Sequence, residues 1–451
     1  MKQTIAILCL IGASLSGFSQ DKSFDLSKYK LPDYKRHELN FNFNSNGSQY
    51  KNSYDEPSNN GTGNIVRNAN SYYSSHSNFS LGYQYDYLTR SRIDQLHASL
   101  SGQYDFTKVQ SSAENTKQMD PNLSLNFGGS RKYYLTKDKL FLEVAPDLGY
   151  NISEIKRTTG GIVDTNNKSN SFTALIDLGV GIGRMEKVSD LWQSYYILEK
   201  LKEQKSLVRE LDEKDIFEFA SLASKLKNKR FFDARLQKIA ELQALDSLLN
   251  KQGLIEGSDI SYFTTLNDYW SFAYFRDRES GRIVKFWLSP QYSRYSYKSV
   301  GTSSQITTNT NLVSNLSFNC TKQLNLFWDR HLNILLSNET LIDKTGSNSD
   351  NYPKNLFHTD VNFGFDFFPN SRTSVSASVG YGGSEGVYQA YTETFTKQWS
   401  NRIYFNVDGV YYISPQLQIT GNYRIGYSDK IYNAFNTTIM NYNLGLRYAI
   451  F

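Results

Sequence analysis

The sequence predicts a mainly β chain: a closed antiparallel transmembrane β-barrel of about fourteen strands, with an inserted α-helical domain of about four helices. Three observations carry that prediction. Outside one segment, apolar and polar residues alternate with a period of two, which sends successive side chains to opposite faces of a strand. The connections between these runs alternate between short and long, as in a barrel that turns tightly on one side of a membrane and extends on the other. Residues 184–282 break both patterns, carrying 17 basic and 17 acidic residues and none of the chain's 8 prolines.

The chain opens MKQTIAILCLIGASLSGFSQ. Lys2, the apolar run from Ile5 to Leu15, and the small residues Gly17 and Ser19 form a secretory signal peptide over 1–19. Cys9 follows Leu8 rather than a small residue, which argues against a lipid anchor. Without the signal, Cys320 is the only thiol, so no internal disulfide is expected. No other run reaches the roughly 18 apolar residues of a membrane-spanning helix. The hydrophobic fraction is 39%, yet the chain holds 33 Tyr and 28 Phe. Alternating strands with one lipid face produce that combination, because no window becomes uniformly apolar. The net charge of +5 is spread along the chain, without the basic stripe a nucleic-acid site needs.

The first barrel half, 20–183, contains strands at 37–44, 78–88, 95–106, 121–131, 139–152 and 171–184. The second half, 283–451, contains them at 283–297, 311–323, 331–341, 356–368, 372–383, 400–413, 416–428 and 437–451. Over 95–106, Leu96, Ala98, Leu100 and Tyr104 oppose His97, Ser99, Gln103 and Asp105. Phe286, Trp287 and Leu288 blur the phase of 283–297. Short connections follow even-numbered strands, around LTRSR, LTKDK, WDR, PNS and SPQ. Longer polar ones follow the odd-numbered strands. The helical domain follows the sixth strand, so parity assigns it to the short-turn, periplasmic side.

Four helices follow from apolar residues spaced three and four apart. The first carries Val188, Leu191, Trp192, Tyr195 and Leu198. The second starts near Asp212 and carries Ile216, Phe219, Ala220, Ala223 and Leu226. The third carries Leu236, Ile239, Leu242, Leu245 and Leu249 and stops near Gly253. The fourth follows Ser258 and carries Tyr262, Phe263, Leu266, Tyr269, Trp270 and Ala273. These stripes are expected to form a bundle core around Trp192, Phe219, Leu236 and Trp270; a groove for a partner helix is the functional alternative.

Where the sixth strand meets this domain the sequence reads LIDLGVGIGR, with Gly179, Gly181 and Gly183 two apart. A dinucleotide fingerprint needs G-x-G-x-x-G, and Arg184 occupies the slot of the third glycine. The period of two marks a strand whose bare face lines the lumen, leaving room for the helical domain at the barrel mouth. Charged residues expected on the lumen face include Asp105, Asp177, Arg424 and Arg447. No metal-binding spacing occurs among the five histidines, and no cofactor is expected. His97 and Ser99 share a face, a pairing similar to that of outer-membrane phospholipases, but the alternation turns it to the lumen rather than to lipid. It also lacks an identifiable third group to orient it.

The ending MNYNLGLRYAIF alternates Tyr442, Leu444, Leu446 and Tyr448 outward and finishes on Phe451. In this the chain resembles bacterial outer-membrane β-barrel proteins, with a terminal aromatic like the one read by the barrel-assembly machinery. Its signal peptide and Tyr/Asn-rich strands are similar to those of Bacteroidota envelope proteins. GRMEKVSDLWQSYYILEKL and LKNKRFFDARLQKIAEL are similar to inserts in barrels of that group. The resemblance implies an outer-membrane location in contact with its lipids. Passage of a solute, gated or plugged by the insert, is the leading expectation. Docking of a periplasmic protein on the helices is the alternative, and lipid hydrolysis through His97 and Ser99 a distant third.

Overall fold

The computed structural model describes residues 28–448 apart from 58–64, 112–114, 137–138, 229–233, 258, 273–277, 347–352, 390–394, 415–416 and 431–434. The signal peptide and Phe451 lie outside the described residues, as does the side chain of Tyr448. Six strands come first: β1 (Tyr34–Pro57), β2 (Ile65–Leu88), β3 (Arg92–Gln110), β4 (Asn115–Thr136), β5 (Leu140–Thr159) and β6 (Ile162–Lys187). Helices α1 (Ser189–Glu203), α2 (Glu213–Asn228), α3 (Ala234–Lys251) and α4 (Ile260–Ser271) follow. Then come β7 (Glu279–Lys298), β8 (Gln305–Gln323), β9 (Trp328–Thr345), β10 (Pro353–Asn370), β11 (Thr373–Gln389), β12 (Phe395–Tyr412), β13 (Leu417–Lys430) and β14 (Phe435–Tyr448). The strands form one 14-stranded sheet in chain order, and every pairing is antiparallel.

Each expected strand is present, but most are longer than expected. Polar stretches read as long loops continue the ladder instead. β1 stays paired with β2 as far as Pro57↔Ile65. β5 and β6 close on Gly160 and Gly161, whose positive φ values of 59° and 86° suit glycine in a tight turn. Beyond the apolar band both faces of a hairpin can meet water. The alternation therefore ends before the hydrogen bonding does.

The two faces differ as the alternation requires. On β5, Leu142, Val144, Leu148, Tyr150 and Ile152 are exposed; on β6, Ile176, Leu178, Val180 and Ile182 are. From 142 to 152 at about 3.3 Å per residue and a tilt of about 40°, the apolar band is about 25 Å tall, the height of a lipid-facing barrel belt. The opposite face carries polar and charged groups. There Glu143 lies 3.0 Å from the Lys285 ammonium, and Asp86 lies 3.8 Å from Arg36. The phase of β7 is resolved: Val284, Phe286 and Leu288 are exposed, while Trp287 lies under Lys285 Nζ at 4.1 Å.

Among the described residues no hydrogen-bonded pairing joins β14 to β1, so the expected closure is not made by this sheet. Leu444 on β14 and Phe41 on β1 are accordingly 78% and 67% exposed, against 49% for Leu178 on a central strand. A central side chain packs between two neighbouring strands, an edge one against a single neighbour.

The helical domain has an interior core. Leu191, Ile197, Leu198, Leu201, Phe219, Leu245, Leu249, Tyr262, Leu266 and Trp270 are buried. Asp212 starts α2 as expected, accepting from Asp215 N at 2.7 Å while Asp215 accepts from Asp212 N at 3.1 Å. α4 is capped by Asp259, which accepts from Tyr262 N. Gly253 ends α3 with φ 63°. Ile239 and Phe263 differ from expectation in being exposed. The side chain of Leu236 lies outside the described residues. In α1, Tyr196, Ile197 and Leu201 are buried more deeply than Tyr195, because this helix is covered by the bundle on one side and by the sheet rim on the other.

Candidate functional site

The site is the seam between the helical domain and the short-turn rim. Its two chain crossings lie side by side: Val188 N donates to Arg278 O at 2.8 Å, and Arg278 N donates to Ser189 Oγ at 2.7 Å. The β6–β7 ladder runs up to Lys187↔Glu279, so the domain emerges from a tight base. The expected boundary of 184–282 moves inward to 188–278.

Arg278 locks that base to the rim. Its guanidinium donates to Asp329 at 2.8 and 2.5 Å and to the Leu326 carbonyl at 2.9 Å, and it stacks on Phe368 at 4.5 Å and Trp192 at 5.3 Å. Arg278 is 1% exposed and Asp329 2%. A buried bidentate pair of this kind holds only while both partners stay, because either charge left alone in the interior is strongly unfavourable. Tyr196 donates to Pro369 O at 2.6 Å, and Arg372 stacks on Phe272 at 4.3 Å, adding the β10–β11 turn to the seam.

The same core receives the segment before β1. Tyr29 and Leu31 are buried in it, Tyr29 stacks on Phe217 at 6.3 Å, and Lys28 pairs with Glu213 at 2.7 Å. Burial pushes the Tyr29 phenol well above its ordinary value. Leu88 at the end of β2 packs on the core too. One small domain therefore touches the sheet at β1, β2, β9 and β10. Nine strand spacings of about 4.8 Å make about 43 Å from β1 to β10 on a flat sheet, whereas four packed helices span about 20 Å. The sheet must curl to bring these ends to one domain. Arg184 tells the same from β6: its side chain donates to the carbonyls of Arg90 at 2.8 Å and Thr89 at 3.0 Å, in the β2–β3 turn.

The junction glycines act locally. A Cβ on Gly181 would fall inside the buried ring of Phe141 and 2.7 Å from Val284 O; one on Gly179 would meet Trp287 Cβ at 3.1 Å. The room they leave is filled by neighbouring strands, not by the helical domain as expected. Gly183 has φ 101°, and with Gly281 at φ 130° it interrupts the alternation so that Arg184, rather than Gly183, turns to the polar face.

Asp105, Asp177, Arg424 and Arg447 all lie on the face opposite the exposed apolar set, as the alternation requires. Asp105 pairs with His76, and Asp177 accepts from Ser289. His97 gains a carboxylate neighbour that the sequence did not reveal, Asp147 at 3.7 Å across Gly128. Among the described residues no hydrogen bond joins Ser99 to His97, so nucleophile and base are not coupled. The seam residues Tyr29, Leu31, Arg278, Asp329 and Phe368 were not singled out from sequence; the arginine and its aspartate stand 51 positions apart with no motif linking them.

No family model matches the chain, and no curated protein does. Solved structures similar to it are bacterial outer-membrane proteins. The translocator domain of an autotransporter from Neisseria meningitidis is 10% identical, with 91% of this chain and 98% of that one covered and a TM-score of 0.28. The alcaligin outer membrane receptor of Bordetella pertussis is 8% identical, with 90% and 64% covered and a TM-score of 0.38, so this chain spans less than two thirds of that receptor. An outer membrane protein of Vibrio cholerae, solved as a loop-deletion mutant, is 9% identical, with 92% and 99% covered and a TM-score of 0.26. Superpositions this loose carry nothing about function.

Proposed function

We propose that β14 closes on β1 to form an outer-membrane barrel that passes a solute, and that the helical domain caps its periplasmic mouth. The observation that carries this reading is the shared core: side chains from the segment before β1, the β2 end, the β8–β9 turn and the β10 end all pack into one helical domain. That domain spans the rim as a lid spans an opening. Closure follows from solvent physics. Two edge strands with apolar outward faces would leave unpaired backbone groups in hydrocarbon, at several kcal/mol each, and pairing them removes both edges. The apolar belt supports the membrane, and parity supports the periplasmic side for the cap.

The test is planar-bilayer conductance of the full chain beside a variant in which a short turn replaces 189–277. The adjacency of residues 188 and 278 makes that deletion compatible with an intact β6–β7 ladder. The expected result is low or intermittent conductance in the full chain and steady conductance without the domain. Silence from both, with folded barrels, overturns the passage reading.

Docking is the second reading. Ile239 on α3 and Ile260 on α4 are 70% and 87% exposed and would meet a periplasmic partner. Ile239→Glu with Ile260→Glu should then abolish partner capture and leave conductance unchanged.

A further inference from the structure

On most of the polar wall, cations and carboxylates meet. Asp86 takes Arg36, Glu143 takes Lys132 and Lys285, and Asp366 takes His331. β12 and β13 depart from this. Arg402 and Arg424 both stack on the ring of Tyr404, at 5.3 and 4.8 Å. Among the described residues neither pairs with a carboxylate. Asp408 accepts from Asn422 at 2.5 Å and also from Asn406. Asp360 and Arg402 both border the space beside Gly382 without forming an ion pair.

Tyr404 is fixed as a floor between the guanidiniums. Its ring overlies Gly380, where any Cβ would collide with it, and its hydroxyl accepts from Asn362 at 3.5 Å. A cavity of about 220 Å³ opens over this floor, bordered by Arg402, Arg424, Ser428 and Asn441. Two guanidinium forks with free donor edges, a hydroxyl and an amide around one opening are the donor set that holds an oxyanion.

We infer that this pocket binds the carboxylate or phosphate group of a small anionic solute. The inference names the solute class for the passage proposed above and rests on that reading. Arg402 stands ten residues from the end of β12, about 33 Å along the strand from the short-turn rim. The pocket is therefore reached from the long-hairpin end and does not depend on the cap.

The test is calorimetric titration of the full-length protein in detergent at low salt, with inorganic phosphate and, separately, with succinate. Saturable binding of one or both is expected, and the stronger of the two identifies the preferred group. Arg402→Gln and Arg424→Gln should each weaken it at least tenfold. Ser428→Asp, which places a carboxylate opposite Arg402 while keeping both arginines, should weaken it comparably. Arg447→Gln, on the same face outside the pocket, should bind as the parent does. No binding of either anion to folded protein, or undiminished binding when both arginines are replaced, overturns the inference. Binding without conductance would remove the passage and leave the pocket; conductance without binding would do the reverse.

Discussion

The helical domain and the sheet bury opposite things. Inside the domain Leu198, Phe219 and Leu245 are fully buried, and its surface carries ion pairs such as Lys202 with Glu210. In the sheet Glu143 and Asp86 are buried while Phe41, Leu178 and Leu444 are exposed. One chain thus follows two solvent rules. A domain in water gains stability by hiding apolar area. A lipid-facing sheet hides its polar groups and leaves apolar ones outside. The seam is where the two meet, and its Arg278–Asp329 pair is a buried charge pair belonging to neither pattern.

The largest expected effect breaks that seam. Arg278→Ala leaves Asp329 buried without its partner, a loss of about 3–5 kcal/mol. The domain should detach and become protease-sensitive while the sheet persists, read by limited proteolysis followed by mass spectrometry. Replacing both members, Arg278→Met with Asp329→Leu, should recover much of the loss.

Next in size is a change of solvent rule within the sheet. Leu178→Arg puts a charge in the middle of the apolar belt and should cost about 2–4 kcal/mol of folding into lipid. The same substitution at Ile239, exposed on α3, should stay within about 0.5 kcal/mol. Denaturant titration of the reconstituted protein compares the two. Equal costs would mean that the outward face of the sheet does not meet lipid.

A smaller effect sharpens the role of the junction. Gly181→Val drives a side chain into Phe141 and should cost about 1–3 kcal/mol by overpacking. Phe141→Ala in the same chain should reduce that cost, because the two compete for one space. If the double variant is as unstable as the sum of the singles, the glycine is needed for some reason other than Phe141.

The smallest effect concerns pH and the domain alone. The hydrogen bond from Arg209, at 2.6 Å, holds the Asp215 carboxyl below its ordinary value of 3.8. The folded value is depressed, so the contribution is complete above the ordinary value and is lost as pH falls through the folded one. Thermal stability of the helical domain should therefore fall below about pH 4, and Asp215→Asn should flatten that dependence.

Strand order and phase were legible because solvent asymmetry is written into every second residue. Asp105, Asp177, Arg424 and Arg447 could be assigned a face that way before any coordinates. Strand ends were not legible, since past the belt the hairpin from Ser45 to Pro57 has no apolar side to mark. The seam was hidden for a different reason. Tyr29 and Leu31 sit in a segment too short to have a period, and Arg278 finds Asp329 only through the fold. On α3, the stripe placed Ile239 inside because spacing alone does not say which side of a helix its neighbours cover.

The most direct measurement of the cap is thiol access from the helical side. In a Cys320→Ser background, Asp177→Cys puts one thiol on the polar wall. A bulky polyethylene-glycol maleimide is added on that side of reconstituted vesicles. Labelling should be slow in the full chain, and fast once Arg278→Ala releases the domain or a turn replaces 189–277. Equal rates in all three would contradict this, since a domain that leaves the mouth open is not a cap.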